Sequence, residues 1–227
     1  MARLRGLGLK ALAVPTVATE PLPFEPPDLA AFDWVVVTSS TGARHLLDRL
    51  SEPYGEVRWA AVGPRTAAAL SERGIAVGAV PGVNRGAEIA ESIAAQAPLP
   101  GLRVLLARAD AAAADLPLRL RAAGAQVEEL DVYRTVEGPE ASRAPLDLAL
   151  ADPELAAVVF ASGSAVRGLQ RLATREVSTL PAVSIGPATS EVARREGFRV
   201  AAEATRPSVE GLVAAVRVAL AGMGSFY

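Results

Sequence analysis

A short pattern occurs twice in this chain. Ala61-Val62-Gly63-Pro64-Arg65-Thr66 and Ser184-Ile185-Gly186-Pro187-Ala188-Thr189 each read as the end of an apolar strand, a Gly-Pro turn and the start of a helix. Glycine is expected at such a turn because it tolerates backbone angles that a side chain forbids. Proline suits the first helical position, where its missing N–H costs nothing. Gly74 and Gly197 stand where each helix should stop. The two Gly-Pro pairs lie 123 residues apart, as do Thr66 and Thr189, Gly74 and Gly197, and Ser39 and Ser162. A second set is displaced by 116: Arg3-Leu4-Arg5 against Arg119-Leu120-Arg121, and Gly8 against Gly124. A period this long marks two duplicated domains rather than a solenoid. Helices that begin at such turns aim free N–H groups and a positive dipole end outward, which suits an anion.

Strands and helices alternate between and around the repeats. Trp34–Val37 is an unbroken apolar run, as expected of a strand buried on both faces. Further strands are predicted at Ala11–Val14, Trp59–Val62, Ile75–Val80, Leu102–Leu106, Val127–Val132, Val158–Phe160, Ala182–Ile185 and Phe198–Ala202, with helices between them. Pro15–Pro27, with prolines at 15, 21, 23, 26 and 27, reads as an extended connector, and Tyr133–Pro145 as a polar one. The alternation implies parallel sheets covered by helices. The second repeat opens with the strand Leu102–Leu106 and its helix; at an offset of 116 the counterpart strand would precede residue 1. The first repeat is therefore expected to lack its opening strand, leaving its sheet one strand short.

Composition excludes several functions. There is no Cys, hence no disulfide, thiolate metal site or Cys nucleophile, and the single His45 forbids a multi-histidine metal centre. The net charge of −2 leaves no polybasic segment for nucleic acid or membrane, and 4% aromatic residues give little for base stacking. No apolar run approaches a membrane span, and Met1-Ala2-Arg3-Leu4-Arg5 has no apolar signal region behind it. A cytoplasmic protein is expected. There is no G-x-G-x-x-G after a strand and no phosphate-loop Gly-Lys-Ser/Thr, which disfavours a nucleotide enzyme.

The run Val35-Val36-Val37-Thr38-Ser39-Ser40-Thr41-Gly42, the turn Ala61–Thr66, the segment Leu105-Leu106-Ala107-Arg108 with Gly124 to Tyr133 beyond it, Phe160-Ala161-Ser162-Gly163-Ser164, and Ser184–Thr189 together resemble uroporphyrinogen-III synthase, in order and spacing from residue 3 to 220. The resemblance implies two similar parallel-sheet α/β domains, flavodoxin- or Rossmann-like, joined by two extended linker strands. Mapped here, residues 1–14 plus 140–220 form one domain and 22–130 the other, with linkers 15–21 and 131–139. It implies cyclisation of the linear tetrapyrrole hydroxymethylbilane to uroporphyrinogen III, with loss of water and inversion of the last pyrrole ring, by a monomer that uses no metal or organic cofactor. A non-enzymatic two-lobed binding or regulatory module of the same fold is the alternative, since no strong acid–base pair is visible.

The same resemblance supplies site residues. Tyr133, at the end of the second linker strand, corresponds to the residue expected to act as the acid. Ser39, Ser40, Thr41, Gly63 and Thr66 from one repeat, and Ser162, Gly163, Ser164, Gly186 and Thr189 from the other, lie in turns at the carboxyl ends of strands, where open α/β sheets bind ligands. These turns are expected to line a cleft from both sides. Arg65 and Arg108 are candidates for pairing substrate carboxylates; Arg44 and Arg167 rank below them. His45 lies inside a helix beside Leu46 and is read as structural. Ala161 replaces a common family Thr, and Gly163 stands where Pro or another small residue is usual.

Overall fold

The computed structural model describes residues 2–82 and 86–223. Among the described residues nine strands and nine α-helices alternate almost strictly. The order is α1 (Ala2–Arg5), β1 (Val17–Pro21), β2 (Trp34–Val37), α2 (Ser40–Leu47), β3 (Arg58–Ala61), α3 (Pro64–Ser71), β4 (Val77–Ala79), α4 (Gly86–Ala94), β5 (Arg103–Ala109) and α5 (Asp115–Ala122). It continues with β6 (Gln126–Glu137), α6 (Arg143–Leu150), β7 (Val158–Phe160), α7 (Gly163–Leu172), β8 (Ala182–Ser184), α8 (Pro187–Arg195), β9 (Val200–Glu203) and α9 (Val209–Met223). The chain divides into two compact units, one of Met1–Ala18 with Val136–Tyr227, the other of Thr19–Thr135.

The central unit is built on a sheet ordered β1-β6-β5-β2-β3-β4, in which β6, β5, β2, β3 and β4 run parallel. Its apolar strands are buried on both faces because alternate residues serve two cores. Trp34, Val36, Ala60, Val104 and Leu106 pack with Ile89, Ile93, Leu116 and Leu120 on one side. Val35, Val37, Ala61, Leu105 and Ala107 pack with Leu46, Leu47 and Leu70 on the other. The unit that holds both termini has a three-stranded parallel sheet, β7-β8-β9. Phe160 and Ala182 face a core with Leu146, Val166, Leu169 and Ala193, while Val183 faces one with Ala215, Val216 and Ala219.

The repeat punctuation is present. Pro64 and Pro187 occupy the first turns of α3 and α8, and Gly74, Gly124 and Gly197 end helices with φ of 76°, 91° and 87°, where only glycine avoids a steric penalty. The turn glycines themselves do not need that freedom. Gly63 has φ −167° and Gly186 φ 166°, both ordinary extended backbone. A Cβ on Gly186 would meet nothing within 4 Å, so the glycine there leaves space rather than relieving strain.

Three local readings need correction. Ala11–Val14 forms no strand; the extended pairing falls instead on β1, inside the proline-rich connector, because β6 lies alongside to accept Leu22 N–H at Val132 O. Tyr133–Pro145 is not one polar connector: β6 runs on to Glu137 and α6 begins at Arg143. Pro145 sits in the first turn of α6, where a missing N–H is tolerated.

Candidate functional site

The carboxyl edge of the central sheet gathers the groups able to do acid chemistry. Ser39 caps α2 by accepting the Gly42 N–H at 2.9 Å. Its Oγ also lies 3.1 Å from the Tyr133 hydroxyl. Tyr133 reaches that position through a local irregularity in β6: Arg108 pairs with Asp131 but Ala109 pairs with Tyr133, so Val132 is the extra residue. A bulge of this kind lets two successive side chains face the same way. Val132 fills the core under α2, and Tyr133 lies half-buried against the same cluster. Gly42 keeps the space open, since a Cβ there would come within 3.1 Å of Ser39 Oγ and 3.6 Å of the Tyr133 ring. Among the described residues the phenol hydroxyl is held by this one hydrogen bond. His45, one turn further along α2, stacks its ring at 5.8 Å from that of Tyr133. Sequence alone left His45 out, because a contact made across 88 residues has no local signal.

The remaining candidates of this unit behave differently. Ser40 and Thr41 form the first residues of α2. Thr66 is buried in the first turn of α3, and its hydroxyl makes no hydrogen bond among the described residues. Arg65 is exposed and joins no ion pair among the described residues, so it can meet an anion. Arg108 cannot do so in this structure. Its side chain is 6% exposed and donates to Glu129 Oε2 at 2.6 Å, to the carbonyl of Ala112, and to that of Ala113 at 3.0 Å. It pins the turn after β5 to β6 and presents no free guanidinium.

In the other unit, the carboxyl ends of β7 and β8 carry the matching turns. Ser162 caps α7 by accepting Ala165 N–H at 3.1 Å, as Ser39 caps α2. Gly163 is explained by packing: a Cβ there would come within 2.8 Å of Val192 on α8. Ser164 lies near Arg167, but Arg167 is engaged by Glu137 through Nη2 at 2.6 Å. The Arg167 guanidinium, followed by Arg171, holds the Glu137 carboxyl below its usual value. At the Gly186 turn, Ser190 N–H bonds Gly186 O and Pro187 has no N–H, so Ala188 and Thr189 N–H are the donors without backbone acceptors among the described residues. Thr189 is buried, and its hydroxyl makes no hydrogen bond there either. Two free N–H groups, a hydroxyl and an open glycine fit a carboxylate. No group of three or more His, Asp or Glu able to hold a metal occurs among the described residues.

The whole-chain comparison decides what such edges belong to. The family model described as uroporphyrinogen-III synthase HemD matches residues 1–214. The chain belongs to the uroporphyrinogen-III synthase family. A uroporphyrinogen-III synthase of Synechococcus elongatus is 28% identical over 239 residues, covering 95% of this chain and 88% of that protein. A porphyrin biosynthesis protein HemD of Ruminiclostridium josui is 27% identical over 210 residues, covering 87% of this chain; the chain spans only 41% of that relative's length. In fold, the chain is similar to the uroporphyrinogen-III synthetase of Helicobacter pylori, with TM-score 0.67, 20% identity and coverage of 91% and 90%. It is also similar to a mutant uroporphyrinogen III synthase of Thermus thermophilus, with TM-score 0.60, 22% identity and coverage of 97% and 93%. The family's enzymes are lyases that cyclise hydroxymethylbilane in haem biosynthesis. No helix among the described residues is long and apolar enough to cross a membrane.

Proposed function

We propose that this chain converts hydroxymethylbilane to uroporphyrinogen III, with Tyr133 as the acid that protonates the departing hydroxyl. The observation that carries the assignment to a residue is the Tyr133 hydroxyl, 3.1 Å from Ser39 Oγ at the carboxyl edge of the sheet. A phenol held in place by a cap residue of a rigid helix is positioned rather than merely present. Ser40, Thr41, Gly63, Arg65 and Thr66 in one unit, and Ser162, Ser164, Gly186 and Thr189 in the other, bind substrate carboxylates. The donors best suited to this are the Ala188 and Thr189 N–H groups and the Arg65 guanidinium. The two units act as the two domains of the repeat. The smaller sheet is the copy that is one strand short, since no counterpart of β5 pairs with β7 among the described residues. The protein works as a cytoplasmic monomer without a cofactor.

The test is isomer analysis. Porphobilinogen and hydroxymethylbilane synthase generate the substrate in situ, this protein is added, and the oxidised porphyrins are resolved. Isomer III is expected; isomer I alone would refute the assignment. Tyr133→Phe should slow formation of isomer III by more than about tenfold, within the range for loss of a general acid. An unchanged rate would remove Tyr133 from that role.

A further inference from the structure

Beside the Gly186 turn lies a polar chain that the reading above does not use. Glu203 is the last residue of β9, in register with Ser184 of β8, one residue before the strand gives way to Ile185-Gly186-Pro187. Ser190 Oγ donates to Glu203 Oε2 at 2.5 Å, and Ser184 Oγ lies 2.6 Å from Ser190 Oγ. Both serines are fully buried. A carboxylate only accepts hydrogen bonds, so the proton order is fixed: Ser184 donates to Ser190, and Ser190 donates to Glu203. Glu203 itself is exposed. It joins no ion pair among the described residues, and its second oxygen accepts no hydrogen bond there.

The duplication shows that the fold does not require this chain. At the offset of 123, Ser184, Ser190 and Glu203 correspond to Ala61, Ala67 and Val80. The same strand–turn–helix unit therefore folds with an apolar set in those places. Two hydroxyls buried in one repeat only, both aligned on a carboxylate without a cation, mark an oriented negative charge at the ligand end of the sheet.

We propose that Glu203 is a substrate-contacting residue that accepts a pyrrole N–H and stabilises the cation formed on ionisation. The proposal rests on the synthase reading. In that step the hydroxymethyl C–O bond breaks, and its electron pair leaves with the oxygen, which takes a proton from the acid and departs as water. The pyrrole nitrogen lone pair moves into the ring, leaving the positive charge on the N–H of the azafulvene. Free N–H groups at Ala188 and Thr189 attract a carboxylate side chain of the same pyrrole, while Glu203 repels it and attracts the ring N–H. The pair fixes which way round the ring lies. Because the charge develops during the reaction, the contribution falls on kcat more than on KM.

The test uses Glu203→Gln and a triple variant, Ser184→Ala with Ser190→Ala and Glu203→Val, which installs the residues of the other repeat. Removing all partners together avoids leaving an orphaned hydroxyl, so the triple variant should fold with Tm close to that of the unaltered chain. Both variants should lose at least about tenfold in kcat with KM changed less than about threefold, the loss expected when preorganised charge is removed. A kcat within twofold of the unaltered chain in either folded variant would overturn the role of Glu203. Absence of isomer III from the unaltered protein would instead refute the synthase reading, so the two failures are distinct.

Discussion

Gly168→Ala should destabilise the unit that contains both termini, although alanine is the better helix former. Gly168 lies within α7, where Thr16 crosses it. A Cβ at Gly168 would stand 1.9 Å from Thr16 O, 2.9 Å from Thr16 C and 3.0 Å from Gly138 N. All three atoms are backbone, so none can swing aside. The same crossing carries Gly138 N–H to Thr16 O at 2.9 Å and Thr16 Oγ1 to Ala165 O at 2.9 Å. Intrinsic helix propensity favours the alanine by about 0.8–1.0 kcal/mol. Against it stand overpacking of about 1–3 kcal/mol or more and about 1–3 kcal/mol for leaving a buried backbone group unpaired as Thr16 retreats. The balance is a loss of about 2–4 kcal/mol, and at 2–4 °C per kcal/mol for a chain of this size Tm falls by roughly 5–15 °C. Gly222→Ala is the control, since a Cβ there meets nothing within 4 Å and Gly222 is itself exposed, near the end of α9. It should be neutral or stabilising by a few tenths of a kcal/mol, because helix ends recover only part of the propensity difference. Urea unfolding followed by circular dichroism reads both changes. A Gly168→Ala midpoint at or above that of the unaltered chain would refute the close-approach argument.

Arg108→Ala should lower stability by about 2–4 kcal/mol, near the cost of breaking a buried charge network, while leaving KM of the folded protein unchanged. A raised KM with full stability would return Arg108 to the carboxylate-binding set. Glu137 provides a pH test: its folded pKa is depressed by Arg167 from the ordinary 4.5. Its contribution is therefore fully present above 4.5 and is lost as pH falls below that through the depressed folded pKa. Glu137→Gln should flatten the acid limb of the stability-versus-pH curve, and an unaltered limb would show that the Arg167 pairing contributes nothing there.

What the chain revealed in advance was what local pattern dictates. Trp34–Val37 could be placed because a strand covered on both faces must be apolar throughout, and the two Gly-Pro turns because proline and the later positive-φ glycines set helix limits. The pairing of β1 was not legible, since it depends on β6, more than a hundred residues away, rather than on the residues of Val17–Pro21. Helix α6 was hidden behind Pro145, though Leu146, Ala149 and Leu150 at helical spacing could have shown it. The buried fate of Arg108 was invisible because its acceptors include two carbonyls of a turn whose conformation no sequence motif specifies. Thr66 and Thr189 were expected in the first turns of their helices and lie there, but neither hydroxyl makes the capping bond expected of such a residue.

The duplication separates scaffold from chemistry more sharply than either repeat could alone. Ser39 and Ser162 occupy matching positions, and both cap the helix that follows, so capping is the inherited role. Among the described residues only Ser39 has a phenol within reach, and at the offset of 116 the counterpart of Tyr133 is Val17, an aliphatic residue in β1. Conversely, only the Gly186 repeat carries the Ser184–Ser190–Glu203 chain. Features held by both copies, such as the N1 prolines and the helix-ending glycines Gly74 and Gly197, are explained by folding alone. Features held by one copy are not, because the other copy shows that the unit folds without them. Among the polar residues that break the repeat are Tyr133 in one unit and Glu203 in the other, a proton donor and a carboxylate. Departure of water from the hydroxymethyl group needs both kinds of group, an acid for the oxygen and a negative charge for the ring left behind.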